Sequence, residues 1–377
     1  MKKITELKKL KNLKHTRILL RADFNVPIKN GKIIDTFRID KTIKTIEALQ
    51  KTGASVVIIS HIGKDASASL KPVFQYLKTK KKLPISFYDG VIDEKAVQKT
   101  TELEPQQILL IENIRKNKGE MENDVQFVKI LSELGDMYVN DAFSVCHRPH
   151  ASVVGVPKKL PSYAGFQLIE EIDKLSLVSK PKHPFVFILG GNKFSTKLPL
   201  LKKFTKTADT VFVGGALLND VLDAVGFEIG KSLKEGDTKQ EKNLKALYAN
   251  PRFLIPDDVL VERDGKNKNV LVQDVLKGDY IFDVGSQTTD ALIEKVKTAK
   301  CVLWNGPFGK SGHDQASKKV LKTLAQSKAQ VIIGGGDTVA IVSKMKLEHS
   351  FTFVSTGGGA TLDFLAKGTL PGIKALK

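Results

Sequence analysis

Along the chain, short aliphatic runs stop abruptly at polar or glycine residues, and each is followed by a longer stretch with apolar positions at helical spacing. That alternation predicts repeated strand-helix-strand units. In the first half the runs are RILLRADFNV (17–26), SVVIIS (55–60), PISFYDG (84–90), QILLIEN (107–113) and MYVNDAF (137–143). They are apolar on consecutive positions, as a parallel strand covered on both faces must be. The second half repeats the pattern in FVFILGG (185–191), TVFVGG (210–215), YIFDVG (280–285), CVLWNG (301–306), VIIGGG (331–336) and FTFVST (351–356). Between the series, residues 165–180 read as one amphipathic helix halted by the prolines of PKHP.

The expected fold is therefore α/β, with two lobes of mostly parallel sheet. Residues 1–164 form the first lobe, 165–180 a connector helix and 181–362 the second lobe. At 377 residues the chain exceeds what one hydrophobic core usually serves, which agrees with two domains.

Chemistry separates the halves, because open α/β sheets bind ligands at the carboxyl ends of their strands. The first half ends its strands in Asp, Asn, Arg and His. Asp23 and Asn25 lie two apart, so extended backbone would point them the same way. Arg38, His61, Arg115, His147 and Arg148 supply cations near other strand ends, a set suited to a ligand carrying phosphate and carboxylate. The second half ends in bare glycine backbone followed by helix starts, which suits a nucleotide's phosphates. There GGGDT (334–338) and STGGGA (355–360) repeat one arrangement, and GGNKFSTK places Lys193 and Lys197 four apart beyond a strand.

Composition narrows the picture further. Lys and Arg outnumber Asp and Glu by 60 to 41, a net charge of +19 that attracts anions without choosing among them. Nucleic-acid binding is the disfavoured reading, since the lysines cluster in stretches that read as solvated helix faces. Two cysteines, Cys146 and Cys301, indicate neither a disulfide framework nor a Cys-rich zinc site and fit a cytoplasmic setting. SVCHRPHAS has no evident carboxylate partner for a metal. No apolar stretch reaches the ~20 residues of a membrane span, and the N-terminus has no apolar core behind its basic residues. GFEIGKS (226–232) has one residue too few for a phosphate-binding Walker loop and reads as a turn.

Taken in order, RADFNVP, DTFRID, SHIGK, LIENIR, VNDAFSVCHRPHAS, GGNKFSTK, WNGPFG, GGGDT and STGGGA resemble the successive signatures of the phosphoglycerate kinases. The resemblance implies two Rossmann-like lobes with a cleft between them, and reversible phosphoryl transfer between 1,3-bisphosphoglycerate and ADP, giving 3-phosphoglycerate and ATP, in a monomer whose lobes close on each other. It assigns Asp23, Asn25, Arg38, His61, Gly63, Lys64, Arg115 and Arg148 to the glycerate ligand. It assigns Lys197, Gly335, Gly336, Asp337 and Thr338 to the nucleotide, with Asp337 on Mg2+. Arg38, Lys193 and Lys197 would serve the transferring group, and residues 363–377 would return to the first lobe. The alternative is a catalytically weakened relative kept as a nucleic-acid or other binding protein. Departures from the pattern are Lys64 for the usual arginine, Ser144 for glycine, Ser286 for proline, and Gly312 where a glutamate usually meets the nucleotide's ribose; His313 or Asp314 stand nearby.

Overall fold

The computed structural model describes residues 1–9, 13–64, 66–192, 194–236, 238–310 and 312–376. Lys193 therefore lies outside the described residues. The chain divides into two compact units, Met1–Asp173 with Lys367–Lys377, and Lys174–Ala366. The sheets are mainly parallel, in an α/β arrangement with no closed barrel.

Unit 1 contains β1 (Arg17–Arg21), the hairpin β2 (Ile28–Lys29) and β3 (Lys32–Ile33), β4 (Ser55–Ile59), β5 (Ile85–Tyr88), β6 (Ile108–Ile111), β7 (Met137–Asn140) and β8 (Ser162–Ala164). Six of these form a parallel sheet in the order β5-β6-β4-β1-β7-β8. Every residue of β4 and β6 is buried, as strands covered on both faces require. Ile18, Leu20, Val56, Ile58, Ile108 and Leu110 form one core with Ile39, Ile46 and Leu49 of helix Phe37–Gln50 and with Val73 and Leu77 of helix Lys71–Thr79. Helix starts are fixed locally: Asp93 accepts a hydrogen bond from Ala96 N at 3.0 Å, and Asp124 from Phe127 N at 2.8 Å. The C-terminal helix Pro371–Ala375 belongs to this unit, where Gly372 N donates to Cys146 O at 2.8 Å.

Unit 2 contains β9 (Phe185–Leu189), β10 (Thr210–Val213), β11 (Asp258–Arg263), β12 (Lys266–Leu271), β13 (Tyr280–Val284), β14 (Cys301–Asn305), β15 (Gln330–Gly334) and β16 (Phe353–Val354). A parallel sheet runs β10-β9-β14-β15-β16. YIFDVG, expected in that parallel series, instead pairs antiparallel with β11 in a three-stranded sheet ordered β12-β11-β13. No helix of crossover length separates β11 from β13, and a parallel pair needs one. The hairpin between β11 and β12 turns at Asp264 and Gly265, both at positive φ, as a two-residue hairpin turn demands. The run FTFVST shrinks to the two residues of β16. The amphipathic stretch expected at 165–180 forms helix Phe166–Ser176 followed by a 3-10 turn, Leu177–Ser179. Among the described residues no helix is long and apolar enough to cross a membrane.

Candidate functional site

In unit 1 the charged residues gather where β1, β4, β6 and β7 end. β1 stops at Arg21, and Val26 N turns back to Phe24 O at 2.9 Å, so Asp23 and Asn25 lie in a loop and not in extended strand. Their side chains take different partners. The Asp23 carboxylate accepts from Arg38 Nη1 at 3.1 Å, while Asn25 Oδ1 accepts from Gly63 N at 3.0 Å. Arg115 closes the same loop by donating to Gly63 O. Arg38, Asp23, Asn25, Gly63 and Arg115 are thus linked directly or through one loop. Lys64 and Arg148 are exposed, and Arg148 Nε donates to His147 Nε2 at 3.3 Å.

His61 is 4 % exposed, and Arg21 Nη2 stands 3.2 Å from its Nδ1. Burial first, and then the positive fields of Arg21, Arg115, Arg148 and Arg38, hold its imidazole well below its usual pKa. His150 is pushed down to about 4 by burial and then by Arg148 and Arg21. It faces Glu120 at 3.7 Å, the carboxylate partner that sequence inspection did not find.

Two residues of LIENIR carry structural duties not foreseen. Asn113 Oδ1 accepts from Ile62 N at 3.3 Å and Arg115 N at 3.2 Å, and its amide donates to Ile62 O and Ala68 O, both at 2.9 Å. Glu112 accepts from Leu70 N at 2.7 Å and Ser69 Oγ at 2.6 Å. Together they shape the loop opened by Gly63. The signal was an acid-amide pair immediately after a fully apolar strand.

In unit 2 a cavity of about 350 Å³ opens at the ends of the parallel strands and beside β13. Leu218, Phe282 and Ile341 give it apolar walls, Gly191 and Gly215 give it bare backbone, and Asp283, Lys310, Asp314 and Asp337 line it with charge. Gly335, at φ +89°, caps helix Gly336–Lys344, and Asp337 lies in that helix's first turn. The Thr338 hydroxyl is buried and accepts from Gly306 N at 3.0 Å. Lys197, in helix Phe194–Phe204, is buried and donates to Gly190 O. Burial lowers its pKa to about 8, with Asp337 opposing the shift. Of the expected nucleotide residues, Asp337 lines this cavity.

Asp283 and the apolar walls were not singled out from sequence, because YIFDVG reads as an ordinary strand. Burial raises the Asp283 carboxyl to about 7 against bonds from Val284 N and Ala316 N. At the rim Phe282 stacks on His313, centroids 4.2 Å apart, and Lys310 Nζ lies 4.9 Å from the Tyr280 ring centre. Gly312 sits at φ +92°, a conformation that L side chains rarely adopt, while Asp314 lines the cavity.

The family model for phosphoglycerate kinase matches residues 7–368. The chain belongs to the phosphoglycerate kinase family. Phosphoglycerate kinase of Leptospira biflexa is 39% identical, over 97% of this chain and 96% of its own length. That of Finegoldia magna is 38% identical over 97% of each chain. Among solved structures, phosphoglycerate kinase from Coxiella burnetii superposes with a TM-score of 0.82 at 37% identity, covering 97% of both chains. The enzyme from Pyrococcus horikoshii gives 0.89 at 29% identity, covering 100% of this chain and 98% of that one. Membership in this kinase family makes the chain a phosphotransferase, and these comparisons lend no support to the binding-protein alternative.

Proposed function

We propose that the chain transfers a phosphoryl group reversibly between 1,3-bisphosphoglycerate and ADP, giving 3-phosphoglycerate and ATP. The observation that carries this reading is the cluster of Arg38 against Asp23, with Arg115 and Asn25 meeting on Gly63 and His61 within the field of four guanidiniums. Such a cluster suits a small ligand bearing a phosphate at one end and a carboxylate at the other. Asp23, Asn25, Arg38, His61, Gly63, Lys64, Arg115 and Arg148 bind it in this proposal.

Lys197, Gly335, Gly336, Asp337 and Thr338 serve the nucleotide. Its base enters between Leu218, Phe282 and Ile341, and its phosphates reach the start of helix Gly336–Lys344. Asp337, one of three carboxylates on the cavity wall and the one in the first turn of helix Gly336–Lys344, fits a magnesium ion that takes its other ligands from phosphate and water. When bound, that ion neutralises phosphate charge. Thr338 fixes the turn at Gly306, and Asp314 takes the ribose in place of the acid absent at 312.

The acceptor carboxylate is ionised near neutral pH, so no general base is needed. Charge neutralisation by Arg38 and Lys197, with Lys193 assigned to the same task from sequence, and alignment of the reacting oxygens supply the rate. That alignment to within ~3–3.5 Å is the chemical ground for proposing hinge-bending. Two buried free thiols, Cys146 and Cys301, suit a reducing cytoplasm, and the family favours a monomer.

The test is turnover of 3-phosphoglycerate and Mg-ATP, coupled to reduction of the acyl phosphate formed. Wild-type protein should turn over at several per second or faster, within the range usual for kinases (about 1–100 per second). Absence of turnover above an Arg38→Ala preparation would refute the proposal.

A further inference from the structure

Arg21, the last residue of β1, is 1 % exposed, so its charge must be fully satisfied inside unit 1. Its Nη1 donates to Ala22 O at 2.7 Å and its Nε to Ser152 Oγ at 2.9 Å. Ser152 Oγ in turn donates to Glu120 Oε1 at 2.6 Å, and Glu120 Oε2 accepts from Ser152 N at 2.9 Å. Glu120 is itself 1 % exposed; burial raises its carboxyl pKa, and the field of Arg21 and the bonds from Ser152 oppose that rise. Tyr138 locks the backbone of the bridge by donating to Ser152 O at 2.6 Å. The remaining arm of Arg21, Nη2, points at His61 Nδ1 from 3.2 Å.

A guanidinium has five donors and no acceptor, and it stays protonated at any pH the protein survives. The contact at His61 Nδ1 can therefore run one way only, from arginine to a bare ring nitrogen. A neutral imidazole with a bare Nδ1 carries its proton on Nε2. Protonating Nδ1 would set N–H against N–H⁺ inside a buried cluster. The groups whose charge bears on the ring are Arg21, Arg115, Arg148 and Arg38, all positive, and burial acts in the same direction.

We propose that Arg21, anchored through Ser152 to Glu120, is a positioning residue that fixes His61 as its Nε2–H tautomer, so that His61 offers the glycerate ligand a neutral hydrogen-bond donor. The functional half of this statement rests on the reading given under Proposed function; the tautomer does not. Four arginines already provide cations at this end of the sheet. A fifth charge in the same place would add repulsion, whereas a neutral N–H adds direction.

The decisive measurement is the imidazole 15N spectrum of His61 in the full-length protein without ligand, assigned by comparison with His61→Gln. The expected result is an unprotonated Nδ1 and a protonated Nε2 from pH 6 to 8. A protonated Nδ1 in the wild type overturns the proposal, without recourse to any variant. Ser152→Ala, which removes the bridge but leaves Arg21 and Glu120 in place, should release the constraint and populate the Nδ1–H form. It should raise the KM for 3-phosphoglycerate about tenfold while leaving the KM for ATP within twofold. A Ser152→Ala protein with the wild-type tautomer contradicts the anchoring role, and a shifted tautomer with unchanged KM for 3-phosphoglycerate contradicts the functional half. Ser152→Thr, which keeps the hydroxyl, should restore both readouts. If 3-phosphoglycerate proves not to be a ligand at all, the spectrum of the wild type still decides the tautomer.

Discussion

Lys197 owes its chemistry to where helix Phe194–Phe204 begins. Its ammonium is buried against Gly190 O and held to a pKa of about 8. It is therefore charged below pH 8 and loses the charge as pH rises through that value. Nucleotide KM should rise above pH 8 with a one-proton slope, and Lys197→Met should abolish that limb and lower kcat/KM at pH 7 by ~100–1000-fold. Steady-state kinetics across pH 6.5–9.5 checks both. Asp283 is the converse case: its folded-state pKa is raised by burial to about 7, above the value of an exposed carboxyl. Its contribution to stability is complete in acid and is lost as pH rises through 7. Asp283→Asn, which cannot ionise, should therefore gain in Tm relative to wild type between pH 5 and pH 8, at ~2–4 °C for each kcal/mol relieved. A constant or shrinking Tm difference would contradict the burial argument. At the cavity rim, Asp314→Ala should raise nucleotide KM by about ten- to a hundred-fold, the worth of one charged hydrogen bond (~1.5–3 kcal/mol). Gly312→Glu should not lower it, because φ +92° suits glycine alone.

Elements differ in how far their sequence announces them. The VVII of β4 and the whole of β6 are apolar and bounded by polar residues, so their existence, type and burial follow from pattern alone. Their ends also announce the basic cluster, since Arg38, His61 and Arg115 all sit where a strand stops or the next helix starts. β13 misled because a strand's composition does not state its direction; only the hairpin before it, turned at Asp264 and Gly265, removes the crossover that parallel pairing needs. The Glu120–Ser152–Arg21 chain was illegible for a different reason. Its members are 32 and 131 residues apart, and each alone reads as a solvated side chain or as part of a motif. The resemblance implies that residues 363–377 return to the first lobe, but the contact made there by helix Pro371–Ala375 is not legible in the sequence. A side chain at Gly372 would meet Cys146 Sγ and Cα at 3.0 Å and Val153 Cγ1 at 2.7 Å. Gly372→Val should cost about 1–3 kcal/mol by overpacking. It should also speed amide exchange in residues 143–155, which include Arg148, with residues 330–340 unaffected.

At the scale of the molecule, two units with separate cores should not melt as one. Calorimetry should resolve a transition raised by 3-phosphoglycerate and another raised by Mg-ADP, each shifting with its own ligand's concentration. The +19 charge acts at this scale also: it favours approach of anionic substrates, so kcat/KM should fall as salt rises from 20 to 300 mM. Under the proposed function the ligands divide between two sites, the glycerate ligand held by the basic loop cluster and the nucleotide by the glycine-backed cavity. Isothermal titration of each ligand against Arg38→Ala and Lys197→Met checks this division. Arg38→Ala should lose 3-phosphoglycerate binding and keep Mg-ADP, while Lys197→Met should weaken Mg-ADP and keep 3-phosphoglycerate. Loss of both ligands in either folded variant, or the reverse pairing, would contradict it.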